Sequence, residues 1–419
     1  MVLDIERMFQ SSKQQFSIGG LISVPDHLRK LDEQAFTPLL ISIGPIHRSN
    51  KKLQNMKKCK VRFCECFIQR ANMDLHNLVR IIIDAEEKIR SYYAETVVSS
   101  ISSNDFVTMI LVDGMFILEY FLRQYHPSLE VVDPKIRIPQ WMQPTLQSDL
   151  VLLENQLPFF VLEMLFQEQN FPDDVGFKLV SLRVLAFDFF RWYNFQHIPP
   201  EHFNVEIEHL TDLVRFFYLV NNEPLQYKSL VGAKLSYSAT QLHEAGIKFK
   251  VAPERNGRAF LDIMFDSKNG VLEIPCIKLN DENMRLIRNI IAFEQSHYVG
   301  HTYVTDFFII LDFLIDTSKD VDLLCDKGIL INYLGDGNAA ASAVNNLNTN
   351  ILWDYMKPAY SKICGDLNAF YKKPWHRWRA TLWHQYFSTP WRFASTCAAI
   401  ILLLLTLTQT VCSLKSTVW

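Results

Sequence analysis

Three stretches constrain this chain more than any other: MILVDGMFILEYF (109–121), DLVLLENQLPFFVLEMLF (149–166) and TDFFIILDFLIDT (305–317). Each is too long for one strand and reads as helix. Each also holds acids, among them Asp113, Glu119, Asp149, Glu154, Asp306, Asp312 and Asp316. Acids at that density are too costly to face lipid, so these segments belong to the core of a helical domain where every buried polar group needs a partner. With 49% hydrophobic residues, 30 Phe and 15 Tyr, the chain has ample material for such a core.

The second stretch poses the sharpest question, because Glu154, Asn155 and Gln156 stand together inside it. Pro158 cannot sit deep in one helix without a cost of roughly 3 kcal/mol, but it suits the first turn of a new one. The pattern therefore predicts helices over Asp149–Asn155 and Pro158–Phe166, with the polar trio satisfying backbone groups at their junction. The sharper alternative makes Glu154 a catalytic carboxylate. Against it, no His or Ser partner stands nearby in the sequence.

Elsewhere, Pro38, Gly44 and Pro45 make FTPLLISIGPIH (36–47) extended or turn-rich. Two helices broken near Asn72 fit Leu53–Tyr93, and Gly114 inside the helix over 104–125 implies a close helix crossing. Further helices are expected over 176–194 and 204–220. Residues 238–280 open with a helix and then alternate as IKFKV, FLDIMFD and VLEIPCIKL around Asn256–Gly257 and Asn269–Gly270, which predicts a small antiparallel sheet. Helices resume from 282, with a final pair turning at Gly328 or Gly335.

Residues 393–414 carry no charge over 22 positions, about 33 Å as a helix. Lys372, Lys373, Arg377, Arg379 and Arg392 precede this stretch and Lys415 follows it. The bias predicts a single-pass tail anchor with the N-terminal body in the cytosol. KKPWHRWRATLWHQYFSTPW (372–391) places Trp375, Trp378, Leu382 and Tyr386 on one helical face, either an interfacial helix or a last helix packed on the body. The amino terminus lacks the basic start and apolar core of a signal peptide. The expected division is an irregular segment 1–24, a mainly helical body 25–371 with its sheet at about 247–280, a juxtamembrane helix 372–391 and a transmembrane helix 393–414.

The chemistry tests are mostly negative. A balance of 42 Lys and Arg against 45 Asp and Glu gives a net charge of −3 and no field for nucleic acid. Cys59, Cys64 and Cys66 lie close together without paired CxxC spacing, and eight cysteines are too sparse for a disulfide scaffold. Glu294, His297 and His301 fall at i, i+3 and i+7, which a continuous helix would align as metal ligands, although Gly300 interrupts it and no fourth ligand is evident. Gly335, Asp336 and Gly337 form a turn without the loop and Lys of a phosphate cradle, and no nucleophile elbow, Walker loop or dinucleotide fingerprint occurs. No catalytic, cofactor-binding or metal residue is assigned.

The motifs ISIGPIH (41–47), MILVDGMFILEYF, LLENQLPFF (152–160), SATQLHEAGIKFK (238–250), LDIMFDSKNGVLEIPCIKL (261–279), NIIAFEQSH (289–297) and KDVDLLCDKGILINYLGDG (319–337) together resemble the plant family called domain of unknown function 247. The resemblance implies a helical body followed by a C-terminal membrane helix, and no agreed catalytic set. Some grass members are linked with pollen-side self-incompatibility, which implies recognition or signalling for those members. The resulting expectation is a membrane-anchored interaction or signalling protein, holding lipid through its C-terminal helix and an unidentified protein through contact anchors drawn from its abundant aromatic side chains. A membrane-side enzyme using Glu154 or the Glu294–His297 pair, and a structural assembly protein, are the alternatives.

Overall fold

The computed structural model describes residues 22–129, 137–167, 171, 179–200, 205–219, 229–230, 234–253, 260–298, 301–351, 355–373 and 390–417. Two short helices, α1 (Asp26–Arg29) and α2 (Glu33–Phe36), open this part of the chain. They lead into an irregular stretch over residues 37–50. The break expected near Asn72 separates α3 (Lys57–Ala71) from α4 (Leu75–Arg90). Asn72 takes the left-handed conformation (φ 48°), Met73 N–H bonds back to the Ile68 carbonyl, and Asp74 caps α4 through His76 N–H. Asn tolerates this conformation better than most residues, and the bond pattern closes the last turn of α3.

After α5 (Glu95–Val98), the long central helix α6 (Ser103–Tyr125) packs against α3 and α4. Its midpoint, Gly114, approaches the next helical layer so closely that a Cβ there would stand 2.7 Å from Leu165 Cδ1. Helices α7 (Gln143–Leu150) and α8 (Phe159–Leu165) follow, then α9 (Leu182–Phe189) and α10 (Leu210–Phe216). The expected helix over Asp149–Asn155 is thus displaced. Its helical turns lie earlier, and residues 151–158 form the connection.

Aromatic side chains fill the interior. Phe63, Phe116 and Tyr120 cluster on one side of α6, and Phe121 meets Phe189 and Phe190 at 4.5 and 6.1 Å between ring centroids. Such pairs add about 0.5–1.5 kcal/mol each beyond the area they bury.

The second half holds α11 (Ala239–Glu244), α12 (Asp281–His297), α13 (Tyr303–Leu314), α14 (Ser318–Asp326), α15 (Gly337–Leu347) and α16 (Pro358–Lys372). Strands β1 (Ser229–Leu230) and β7 (Tyr355–Met356) pair antiparallel. The main sheet has order β2-β4-β3, from β2 (Lys248–Val251), β3 (Met264–Asp266) and β4 (Val271–Ile274). Only β3 and β4 are antiparallel, turning at Gly270 (φ +64°), while β2 runs parallel to β4 with Lys248 opposite Val271. The purely antiparallel sheet expected from the sequence is therefore corrected to a mixed one. The last predicted strand also divides at Pro275, which has no N–H to give a ladder. Its second part, β5 (Ile277–Leu279), pairs in parallel with β6 (Leu330–Asn332) instead.

The C-terminal helix α17 spans Pro390–Thr417, with Ile400–Leu405 and Leu407 exposed. Thr406, Thr408 and Thr410 donate to backbone carbonyls about one turn back. Among the described residues, however, no helix is long and apolar enough to cross a membrane. The unbroken apolar row from Cys397 to Leu405 is nine residues, about 14 Å against a hydrocarbon core of about 30 Å. The tail anchor at 393–414, the lipid partner, and the single-pass location with a cytosolic body are corrected on that finding. The proposed face of Trp375, Trp378, Leu382 and Tyr386, like the Asn256–Gly257 turn, lies outside the described residues.

The irregular segment turns at Gly44, whose φ is +69° and whose Cβ position lies 2.7 Å from the Gln156 carbonyl oxygen. Gly44→Ala adds both a left-handed strain and a backbone clash, and is expected to lower unfolding free energy by about 2–4 kcal/mol, read by urea titration with unchanged m-value.

Candidate functional site

Asp149, Glu154 and Asn155 converge on the segment 22–48. Asp149, fully buried, accepts three consecutive backbone N–H groups, from Leu39 (2.9 Å), Leu40 (2.7 Å) and Ile41 (3.0 Å). Asn155 Oδ1 accepts Ile43 N–H at 2.7 Å, while its Nδ2 donates to the Ile41 and Asp149 carbonyls at 3.0 and 2.9 Å. Glu154 accepts Val24 N–H at 3.0 Å and pairs with Arg29. Asp113, at the midpoint of α6, accepts Gly44 N–H at 2.9 Å and pairs with Lys60, which also donates to the Ser42 carbonyl.

Two residues of α12 complete this cradle. Asn289 donates to the Ala35 carbonyl at 2.9 Å and accepts Leu153 N–H at 2.9 Å. Arg285 donates to the Thr37 carbonyl and lies 3.4 Å from Asp149. Gln156 faces the other way, donating to the Leu150 and Leu152 carbonyls and accepting Leu210 N–H at 3.0 Å, so it ties the 151–158 connection to the start of α10. The junction role expected for the trio is thus wider than helix capping. These side chains bind a separate, irregular piece of backbone.

The cradle is chemically quiet. Burial pushes the Asp113 and Asp149 carboxyls above the usual carboxylate range, against the opposing pull of Lys60, Arg285 and the N–H groups they hold. His47 is driven down to about 4, first by burial and then by Arg29. Glu154 Oε2 is buried without a hydrogen-bond partner among the described residues. Its other oxygen is committed to Val24 and Arg29. That arrangement fixes chain.

Glu294, His297 and His301 do not form a ligand set. Helix α12 ends at His297. Glu294 instead receives Arg215 Nε at 3.0 Å, and Thr305 N–H and Oγ1 at 2.9 and 2.8 Å, thereby capping the start of α13. Arg215 stacks over Tyr298 and donates to the His301 carbonyl, which knits α10 to the α12–α13 turn. Among the described residues no group of three or more His, Cys, Asp or Glu is placed to hold a metal. Cys64 Sγ lies 3.3 Å from Met115 Sδ, and burial raises its thiol to about 11, which makes it inert packing. Asp336 caps α15 through Ala339 N–H, so its Gly-flanked turn is a helix start.

The protein partner expected from aromatic anchors also loses its ground. Although Trp141, Trp192, Phe195, Tyr333 and Trp391 are exposed, Phe36, Phe63, Phe67, Phe106, Phe116, Phe121, Phe159, Phe190, Phe217, Phe293 and Phe307 are almost wholly buried. They hold the core together and are unavailable to anchor a contact.

Sequence reading missed a cleft of about 580 Å³ at the α3–α4 turn, lined by Asn72, Met73, Asp74, Asn77, Leu78, Arg80, Ile81, Asp84 and Gln167. Asn77, Arg80 and Asp84 are exposed and make no side-chain hydrogen bond or ion pair among the described residues. The left-handed Asn72 could have flagged the turn. No spacing in the sequence signals that these side chains share a concavity.

Residues 21–405 match the family DUF247, described as plant protein of unknown function. The chain belongs to this family. It is similar to the UPF0481 protein At3g47200 of Arabidopsis thaliana, 29% identical over 94% of this chain and 86% of that protein. A second similar protein, the putative UPF0481 protein At3g02645 of the same plant, is 22% identical over 96% of this chain and 92% of its own length. No solved structure matches. This DUF247 chain thus shares nearly its full length with its relatives.

Two outcomes follow from the cradle. Asp149→Ala strips the acceptor from three N–H groups and leaves Arg285 without its carboxylate, so it should cost about 3–5 kcal/mol, whereas Asp149→Asn keeps an oxygen and should cost about 1–3 kcal/mol, both by urea unfolding.

The second concerns His209, fully buried, whose Nδ1 caps α10 by accepting Asp212 N–H at 3.2 Å and whose imidazole burial drives down to about 3. The unfolded chain binds this proton below about pH 6.5 and the folded chain does not. Stability should fall as pH drops from 6.5 towards 3, by roughly 1.4 kcal/mol per pH unit for this group at mid-range. Asp113 and Asp149 act in the opposite sense, so the measurement is the difference between wild type and His209→Asn, which can still cap and should show the shallower slope.

Proposed function

We propose that this chain is a ligand-binding protein without a reaction of its own, and that the cleft at the head of α4 receives a small polar molecule. The observation that supports this reading is the contrast in how polar groups are used. Glu154, Asn155, Gln156 and Glu294 are committed to backbone or to ion pairs. In the cleft, Asn77, Arg80 and Asp84 have no partner among the described residues.

Chemistry sets the class of ligand. Arg80 suits an anionic group, Asp74 and Asp84 suit a cationic one, and Asn72 and Asn77 offer amides that donate and accept. Met73, Leu78 and Ile81 supply an apolar wall. A zwitterion of amino-acid or short-peptide size matches both the charges and a volume of the order usual for small-ligand sites.

The test is a thermal-shift and calorimetric titration of the full chain with the common amino acids and dipeptides. A zwitterionic ligand should raise the melting temperature and bind with a Kd below about 1 mM. Arg80→Ala, an exposed change that should leave the unliganded melting temperature unaltered, should weaken that binding at least tenfold. Binding that is indifferent to Arg80, or no response from any zwitterion, removes the reading.

A further inference from the structure

We infer that the basic turn leading into α3 is a binding site for a compact ligand that carries several phosphate groups. From Arg48 to Arg62 the chain holds seven cations and no acid, while its remaining 35 Lys and Arg face 45 Asp and Glu. Two of the seven are engaged, Lys60 with Asp113 and the Ser42 carbonyl, and Arg62 with Glu65 at 2.9 Å. The other five, Arg48, Lys51, Lys52, Lys57 and Lys58, are exposed and make no side-chain hydrogen bond or ion pair among the described residues. By contrast, the exposed Arg191 has Asp188 at 3.1 Å. Positive charge is thus gathered at one place in a chain that is acidic elsewhere.

The turn is built to hold these charges in place. Residues Lys51–Met56 form a 3-10 helix that runs directly into α3. Asn50 caps it by accepting Lys52 N–H at 3.1 Å, Gln54 Nε2 donates to the Arg48 and Asn50 carbonyls at 2.9 and 3.4 Å, and Leu53 and Met56 are buried beneath it. The placing of the cations works against stability. Like charges repel, and Lys57 and Lys58 occupy the first turn of α3, where the helix dipole favours acids and none is present. A bound anion relieves both penalties. Lysine ammonium groups suit phosphate as point charges, and five cations around a 3-10 helix about 12 Å long match a few phosphates held close together better than a long nucleic-acid strand. The site takes that chemistry from a free molecule or from a lipid headgroup. It stands at the opposite end of α3 from the Asn72 cleft, about 22 Å along the helix, and does not rest on the reading of that cleft.

The test is calorimetric titration of the full chain with inositol hexakisphosphate and with inorganic tripolyphosphate at about 150 mM salt. Each should bind at one site with a Kd below about 10 μM and weaken as salt rises. The double variants Lys51→Gln with Lys52→Gln, and Lys57→Gln with Lys58→Gln, should each weaken binding at least tenfold while the unliganded melting temperature stays the same or rises. Two controls should leave binding unaltered: Lys319→Gln with Lys327→Gln, which removes the same charge from exposed lysines elsewhere, and Arg80→Ala in the cleft. Phosphatidylcholine vesicles carrying phosphatidylinositol bisphosphate distinguish the source. Capture that the soluble phosphates displace assigns the site to a lipid headgroup, and soluble binding without capture assigns it to a free molecule. Absence of binding at that salt, or equal weakening by either control, overturns the inference.

Discussion

Everything in this structure hangs on how acids and amides survive inside an apolar interior. A buried carboxylate with no partner costs several kcal/mol, so each of these side chains must be surrounded by donors. Asp149 meets that demand with three consecutive backbone N–H groups, Asp113 with Gly44 and Lys60, and Glu294 with Arg215 and Thr305. In each case the donors come from another part of the chain. The polar groups that look out of place in the sequence are therefore the fasteners that decide which distant segments meet.

This division of labour separates stability from binding. The cradle and the Glu294–Arg215 knot are rich in intramolecular bonds, although Glu154 Oε2 is left without a hydrogen-bond partner among the described residues. The α3–α4 cleft is the reverse: open, mixed in charge, and lined in part by Asn77, Arg80 and Asp84, which make no side-chain hydrogen bond or ion pair among the described residues. The functional reading rests on that surface cleft, where Asn77, Arg80 and Asp84 are exposed.

Much of the helical body was legible because long apolar runs with internal acids admit one solution. The break at Asn72, the helix over 104–125 and the close approach at Gly114 all follow from local rules. Three things did not. The helix beside the polar trio ends at Leu150 because Asp149 is taken up by the segment 39–41, a tertiary demand that outweighs the local pattern. The sheet is mixed because β4 lies between β2 and β3, an order that alternation cannot reveal. And the uncharged stretch near 393–414 satisfied a count of residues, whereas no helix among the described residues combines the length and apolarity of a span. For the cradle, Glu154 and Asn155 were visible as anomalies, but Arg285 and Asn289 lie more than a hundred residues away and nothing local marks them.

The sequence distance across the cradle also bears on how the protein is made. Asn289 grips the carbonyl of Ala35, a separation of 254 residues. At ribosomal speeds of roughly 5–20 residues per second, the segment waits about 13–50 s after its own synthesis before that side chain exists. Throughout that interval Phe36, Ile41 and Ile43 have no finished groove to enter. The nascent chain thus carries an apolar, unpaired stretch for most of its translation, which makes it a natural client for chaperones that shield such stretches and couples the yield of folded protein to the rate of elongation.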